Sequence, residues 1–199
     1  ELPVVVWMGE MAASGGYYIS CGADRIVAHP DSLVGSIGVI SQFINAEDLL
    51  DEVGVEVTVI TSGENKDIGS FFRDMTDEEE EIWQEISDEI YDGFVAIVAE
   101  SRDLSLDEVY DLATGRVYTG RQALALGLVD MTGTSDEAIA QAAELAGLSG
   151  TPPVVEIDAM PTFFETLMGL QSSRSLVPTM EEVLGWIDAP SVEYRFASP

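Results

Sequence analysis

Apolar residues fill positions 3–8 without a break (Pro3-Val4-Val5-Val6-Trp7-Met8), the pattern of a strand covered on both faces. Residues 9–14 read as a turn and residues 14–21 as a helix, followed by short strand candidates at 25–28 and 38–40. A helical pattern at 46–53 stops before Gly54, and the alternating stretch 56–60 predicts a strand that feeds a polar, Gly-bounded loop at 61–70. The longest predicted helix starts near Thr76, where Thr76-Asp77-Glu78-Glu79 has the form of a capping box with an acidic first turn. Trp83, Ile86, Ile90, Phe94 and Ile97 then recur at helical spacing and predict one apolar face for the core or a subunit interface. Three more helices are expected at 106–113, 120–126 and 135–148. Strand and helix alternate throughout, which predicts an α/β fold with parallel pairing.

The texture changes after Pro152-Pro153, with a strand candidate at 154–157, two short helical stretches and a β-like run at 191–196. This divides the chain into a domain at 1–150 and an appendage at 151–199 that docks on the domain or on a neighbour. The chain also opens directly into its first strand, so it is expected to be a piece, N-terminally truncated, whose upstream part lies outside it.

Composition alters this picture in two ways. The 199 residues carry 37 Asp and Glu against 8 Lys and Arg, a formal net charge of -29, yet 46% of the chain is apolar. It is therefore a globular chain rather than an acidic disordered tail. Charge of this size, with seven arginines and one lysine, predicts a protein adapted to very salty surroundings. At about 1 M salt the Debye length is only ~3 Å, and repulsion among surface carboxylates is screened. The same field argues against nucleic acid as a partner, which needs Lys and Arg clusters. One cysteine (Cys21) and one histidine (His29) exclude an intrachain disulfide and make a zinc site an unsuitable expectation; no cofactor is expected. No apolar run is long enough to span a membrane.

Two residues stand out as candidate chemistry. Ser14 lies between a buried strand and a helix, where backbone N–H groups at a helix start can stabilise a developing oxyanion, and Gly15 and Gly16 leave room for a substrate carbonyl. The same sequence also fits an N-cap serine in a Gly-rich turn. His29 precedes Pro30 beyond the next strand and reads as structural, so a serine nucleophile here needs another base. Lys66, the sole lysine, sits in the loop at 61–70; it is either such a base or a surface lysine paired with Glu64 or Asp67. Acting as a base near neutrality requires lowering an ordinary lysine pKa of ~10.4 by roughly 3 units, which burial supplies and neighbouring carboxylates oppose.

The segment Met8-Gly9-Glu10-Met11-Ala12-Ala13-Ser14-Gly15-Gly16-Tyr17-Tyr18-Ile19-Ser20 resembles the nucleophile segment of the signal peptide peptidase A family, the S49 serine peptidases. Gly35-Ser36-Ile37-Gly38-Val39, Ser62-Gly63-Glu64-Asn65-Lys66-Asp67, and Thr114 to Ala123 continuing through Gly127-Leu128-Val129-Asp130 are similar to its other motifs, in order, across roughly residues 3–145. The resemblance implies a ClpP/crotonase-like fold and a Ser–Lys dyad of Ser14 (nucleophile) and Lys66 (general base), with the Gly15 N–H in the oxyanion hole. It implies membrane-derived peptide substrates such as leftover signal peptides, a ring-shaped homo-oligomer whose sites can draw on neighbouring subunits, and membrane attachment through an anchor absent from this chain. Ser36, Ile37, Gly38 and Val39 either line the substrate groove or answer a conformational need for the two glycines. Tyr17 and Tyr18 are expected to pack under the nucleophile, and Arg116 and Arg121 to form structural ion pairs. The family's upstream Gly-Gly segment, which completes the oxyanion hole, is not in this sequence. Other readings are an acyl-CoA enzyme of the crotonase type, a membrane-associated ClpP-like protease, and an oligomeric interaction module with a dead site.

Overall fold

The computed structural model describes residues 2–150 and 152–155. These divide into two units: residues up to Gln42 with Asp77–Pro152, and Phe43–Thr76 with residues 153–155. The expected appendage at 151–199 lies almost wholly outside the described residues.

The first unit begins with β1 (Val5–Met8), β2 (Met11–Ala13), α1 (Gly15–Ser20), β3 (Arg25–Ala28) and β4 (Leu33–Gly35). The second unit contributes α2 (Glu47–Glu52); the first then resumes with α3 (Asp77–Arg102), α4 (Leu106–Leu112), β5 (Val117–Thr119), α5 (Gly120–Ala125), β6 (Met131–Thr132) and α6 (Ser135–Leu145). Two three-stranded sheets result, in the orders β1-β3-β6 and β2-β4-β5. All pairs are parallel except β4 with β5, so the expected parallel α/β arrangement holds with one antiparallel addition.

The stretches 5–13 and 25–35 run side by side through both sheets. Across the bend between sheets, the His29 N–H donates to the Met8 carbonyl (2.8 Å) and the Leu33 N–H to the Glu10 carbonyl (2.9 Å). Residues 9–14 are therefore not simply a turn: they contain β2, whose Ala13 pairs with Gly35 of β4. Two other strand expectations fail. Residues 38–40 form no ladder, and 56–60 are exposed with no strand partner among the described residues. Alternation alone does not make a strand; its backbone groups need a neighbour.

The core gathers around β3, where Ile26, Val27 and Ala28 are all fully buried as the middle strand of its sheet. β1, expected to be covered on both faces, is an edge strand among the described residues, and Trp7 remains 42% exposed. On α3 the buried apolar residues are Phe94, Val95, Val98 and Ala99, in the C-terminal half; Ile86 is exposed, so the apolar stripe is covered only in part among the described residues. Helices α4, α5 and α6 each begin with a complete capping box: Ser105 with Glu108, Thr119 with Gln122, and Thr134 with Glu137.

The segment 127–130 is fastened by a polar network. Arg102, at the end of α3, donates to the Gly127 carbonyl (2.8 Å) and forks onto both oxygens of Asp130 (2.7 and 3.1 Å). Asp130 also accepts the Ile26 N–H (2.6 Å), joining α3 to β3. Burial pulls the Asp130 carboxyl upward, but the Arg102 and Ile26 hydrogen bonds outweigh it and hold the group below the usual carboxylate range.

Candidate active site

β2 ends at Ala13 and α1 begins at Gly15, which leaves Ser14 alone in a strand-to-helix turn. Its backbone takes φ 52° and ψ -120°, a region that L-residues rarely occupy. The position is enforced on both sides. The Ser14 N–H donates to the Gly35 carbonyl (2.7 Å), continuing the β2–β4 pairing, while the Ser14 carbonyl accepts the Tyr18 N–H (2.9 Å) as the helix starts. The side chain makes no capping bond, and the torsion is not the extended one of an N-cap. The capping account of Ser14 therefore fails. A half-buried serine is left on a strained strand–helix elbow with its hydroxyl making no hydrogen bond among the described residues, a placement that suits a nucleophile.

Gly15 and Gly16 are buried immediately behind it, and the Gly15 N–H has no hydrogen-bond partner among the described residues. That donor is free to meet a developing oxyanion beside Ser14. Beneath the elbow, Tyr17 is fully buried and donates to the Leu128 carbonyl (2.8 Å), with burial pushing its phenol well up. Tyr18 meets Phe94 edge-on at 5.2 Å. Both tyrosines pack as expected.

The structure brings Ser36 to the same place. Gly35 has φ 89° and Ser36 φ 51°; the Ser36 N–H donates to the Arg116 carbonyl (2.8 Å), so β4 leaves its sheet in a sharp turn beside Ser14. A Cβ on Gly35 would lie 2.8 Å from Cδ2 of Tyr118, which explains the glycine by close approach as well as torsion. Of the four candidate groove residues, Ile37 is fully buried and its carbonyl accepts the Gly115 N–H (3.0 Å). Its side chain is core and cannot face a substrate. Ser36, Gly38 and Val39 are half-buried.

His29 is engaged through its backbone in the β3–β4 connection, and its Nδ1 accepts the Asp31 N–H at 3.3 Å. Arg121 pairs with Asp31, as expected of it. Arg116 departs from expectation: it forms no ion pair among the described residues and instead lies over the Tyr118 ring, 5.2 Å from the centroid.

Lys66 belongs to the second unit, in the turn-rich stretch 62–69. Its N–H donates to the Gly63 carbonyl (3.2 Å), and the side chain is exposed in the chain taken by itself. Neither Glu64 nor Asp67 pairs with it. Asp67 is instead bound by Arg73 (2.8 Å), whose hydrogen bond holds that carboxyl below its ordinary range. The loop is closed at its base by the Ala46 N–H donating to the Phe71 carbonyl (2.9 Å). Asp67 is thus committed to Arg73 rather than to Lys66.

Residues 1–149 match Peptidase family S49. The chain belongs to that family. The mixed α/β architecture with small sheets fits the ClpP-like fold of S49 peptidases. Among its relatives, a protein of Synechocystis named as a candidate protease is 43% identical over 93% of this chain and 66% of its own length. A protein of Enterococcus faecium named as a candidate signal peptide peptidase is 35% identical over 98% of this chain and 60% of its own length. Protease 4 of Salmonella typhi is 41% identical over 73% of this chain and 24% of its own length. The chain therefore spans two thirds or less of each of these S49 relatives. No helix among the described residues is long and apolar enough to cross a membrane.

Proposed function

We propose that this S49 chain is the catalytic part of a serine endopeptidase in which Ser14 attacks the peptide carbonyl and Lys66 is the general base. The strained, uncommitted Ser14 on the β2–α1 elbow carries the reading. In the first step Ser14 Oγ bonds to the carbonyl carbon as its proton passes to a neutral Lys66 Nζ, and the oxyanion meets the Gly15 N–H. Lys66 then gives the proton to the leaving amine. Water, deprotonated by the same amine, then adds to the acyl carbon, and the C–Oγ bond breaks as the ammonium returns its proton to Ser14 Oγ. An arginine could not serve, since it does not give up its proton in proteins.

Lys66 is exposed in the single chain, so the desolvation it needs comes, on this reading, from assembly into a ring of subunits or from the bound substrate. The substrates are extended, membrane-derived peptides such as leftover signal peptides, and the whole protein is held at the membrane. An acyl-CoA enzyme of related fold would have no use for the strain at Ser14.

The test uses the full-length protein in concentrated salt with an apolar fluorogenic peptide, comparing wild type, Ser14→Ala and Lys66→Ala. Both variants should lose on the order of 10³-fold or more in kcat with assembly intact by light scattering. Unchanged turnover in either sinks the dyad.

A further inference from the structure

Arg116 has an unusual position for a cation in so acidic a chain. It pairs with no carboxylate among the described residues. Its guanidinium is instead held over Tyr118, whose ring is nearly buried and whose hydroxyl donates to the Leu112 carbonyl (3.1 Å). A planar cation resting on a fixed aromatic face keeps its N–H fork available for a bidentate carboxylate. The pair opens on a groove of about 420 Å³ whose walls include Asp111, Leu112, Gln122 and Leu126, and Asp111 makes no ion pair to Arg116.

The backbone ties this cation to the nucleophile. The Ser14 N–H donates to Gly35, the next residue's N–H donates to Arg116, and Gly35 pairs with Val117. Ser14, Ser36 and Arg116 thus follow one another across three adjacent strand ends. At ~4.8 Å per strand the Arg116 backbone lies about 10 Å from Ser14, the span of roughly three residues of an extended peptide. The Tyr118 ring that carries the guanidinium is also the one that packs against Gly35.

We propose that Arg116 is a specificity-determining residue that takes a carboxylate of the peptide about three residues from the scissile bond. The carboxylate is either an Asp or Glu side chain or the free C-terminus of a short peptide. The inference rests on Ser14 being the nucleophile, because that sets the distance. It also accounts for how a chain of net charge -29 could accept an anionic peptide.

The test has a binding arm and a cleavage arm. Labelled peptides that differ only as Glu or Gln three residues to either side of the scissile bond, or as C-terminal acid or amide at that spacing, are bound to full-length Ser14→Ala protein and followed by anisotropy. At least one acidic member should bind on the order of tenfold tighter than its neutral twin. The ratio should fall to about one with Arg116→Gln added and be partly kept with Arg116→Lys. Which pair responds identifies the source of the carboxylate. Equal binding of every pair, or a ratio that survives Arg116→Gln, overturns the inference. The cleavage arm asks whether Ser14→Ala abolishes hydrolysis of the same peptides; if it does not, the nucleophile assignment fails, whatever the binding arm shows.

Discussion

Replacing Gly35 with alanine tests the architecture around Ser14 most directly. At φ 89° an L-residue is strained by about 1–2 kcal/mol before any contact is considered. The added Cβ would also stand 2.8 Å from Cδ2 of Tyr118 and 3.2 Å from the Arg116 carbonyl oxygen. Tyr118 is only 6% exposed and is held at its hydroxyl by Leu112, so the ring has little room to yield. Crowding of this kind costs about 1–3 kcal/mol. Together the two terms predict a loss of about 2–5 kcal/mol, or roughly 5–20 °C in Tm for a domain of this size. Gly38 is the control. Its φ is not in the left-handed region, and a Cβ there would meet Gly115 at an ordinary 3.5 Å, so Gly38→Ala should stay within about 1 kcal/mol of wild type. Thermal unfolding in concentrated salt, followed by circular dichroism, measures both. If Gly35→Ala unfolds within about 2 °C of wild type, or Gly38→Ala is equally damaging, the proposed packing of β4 on β5 is wrong.

The Asp130–Arg102 fork gives a pH signature. The folded pKa of Asp130 is depressed, so its stabilisation is fully present above the unfolded value of ~3.9 and is lost as pH falls through the folded value. Asp130→Asn should therefore cost about 1–2 kcal/mol near neutrality, discounted because the carboxylate is a third exposed, and the gap to wild type should close in unfolding curves taken below pH ~4. With a net charge of -29, stability should also rise steeply with salt; a Tm unchanged between ~10 mM and molar salt would refute the screening account.

Much of the helical half of the fold is legible because its signals are local. Ser105, Thr119 and Thr134 each stand three residues before a Glu or Gln, and α4, α5 and α6 start there. β1 and β3 are legible as apolar runs. β2 and β4 are not: Met11-Ala12-Ala13 and Leu33-Val34-Gly35 are three residues each and become strands through pairing with one another and, for β4, with β5. The same non-local pairing hides the chemistry of Ser14. Its sequence neighbours fit a helix cap equally well, and the torsion that rules the cap out appears only with the non-local hydrogen bond to Gly35 in place. Arg116 escaped for a similar reason, since its stacking on Tyr118 of β5 is a contact between side chains that the sequence pattern does not reveal. The stretch 56–60 shows the converse error, an alternating pattern with no strand beside it among the described residues.

The torsion at Ser14 also bears on how such a sequence endures. A glycine would rest at φ 52°, ψ -120° without penalty, so Ser14→Gly should relieve on the order of 1–2 kcal/mol while removing the hydroxyl. Mutational drift that favoured only a firmer fold would therefore replace this serine. On the proposed reading of Ser14 as the nucleophile, its presence reflects selection for work done at that position, against the preference of the backbone that holds it.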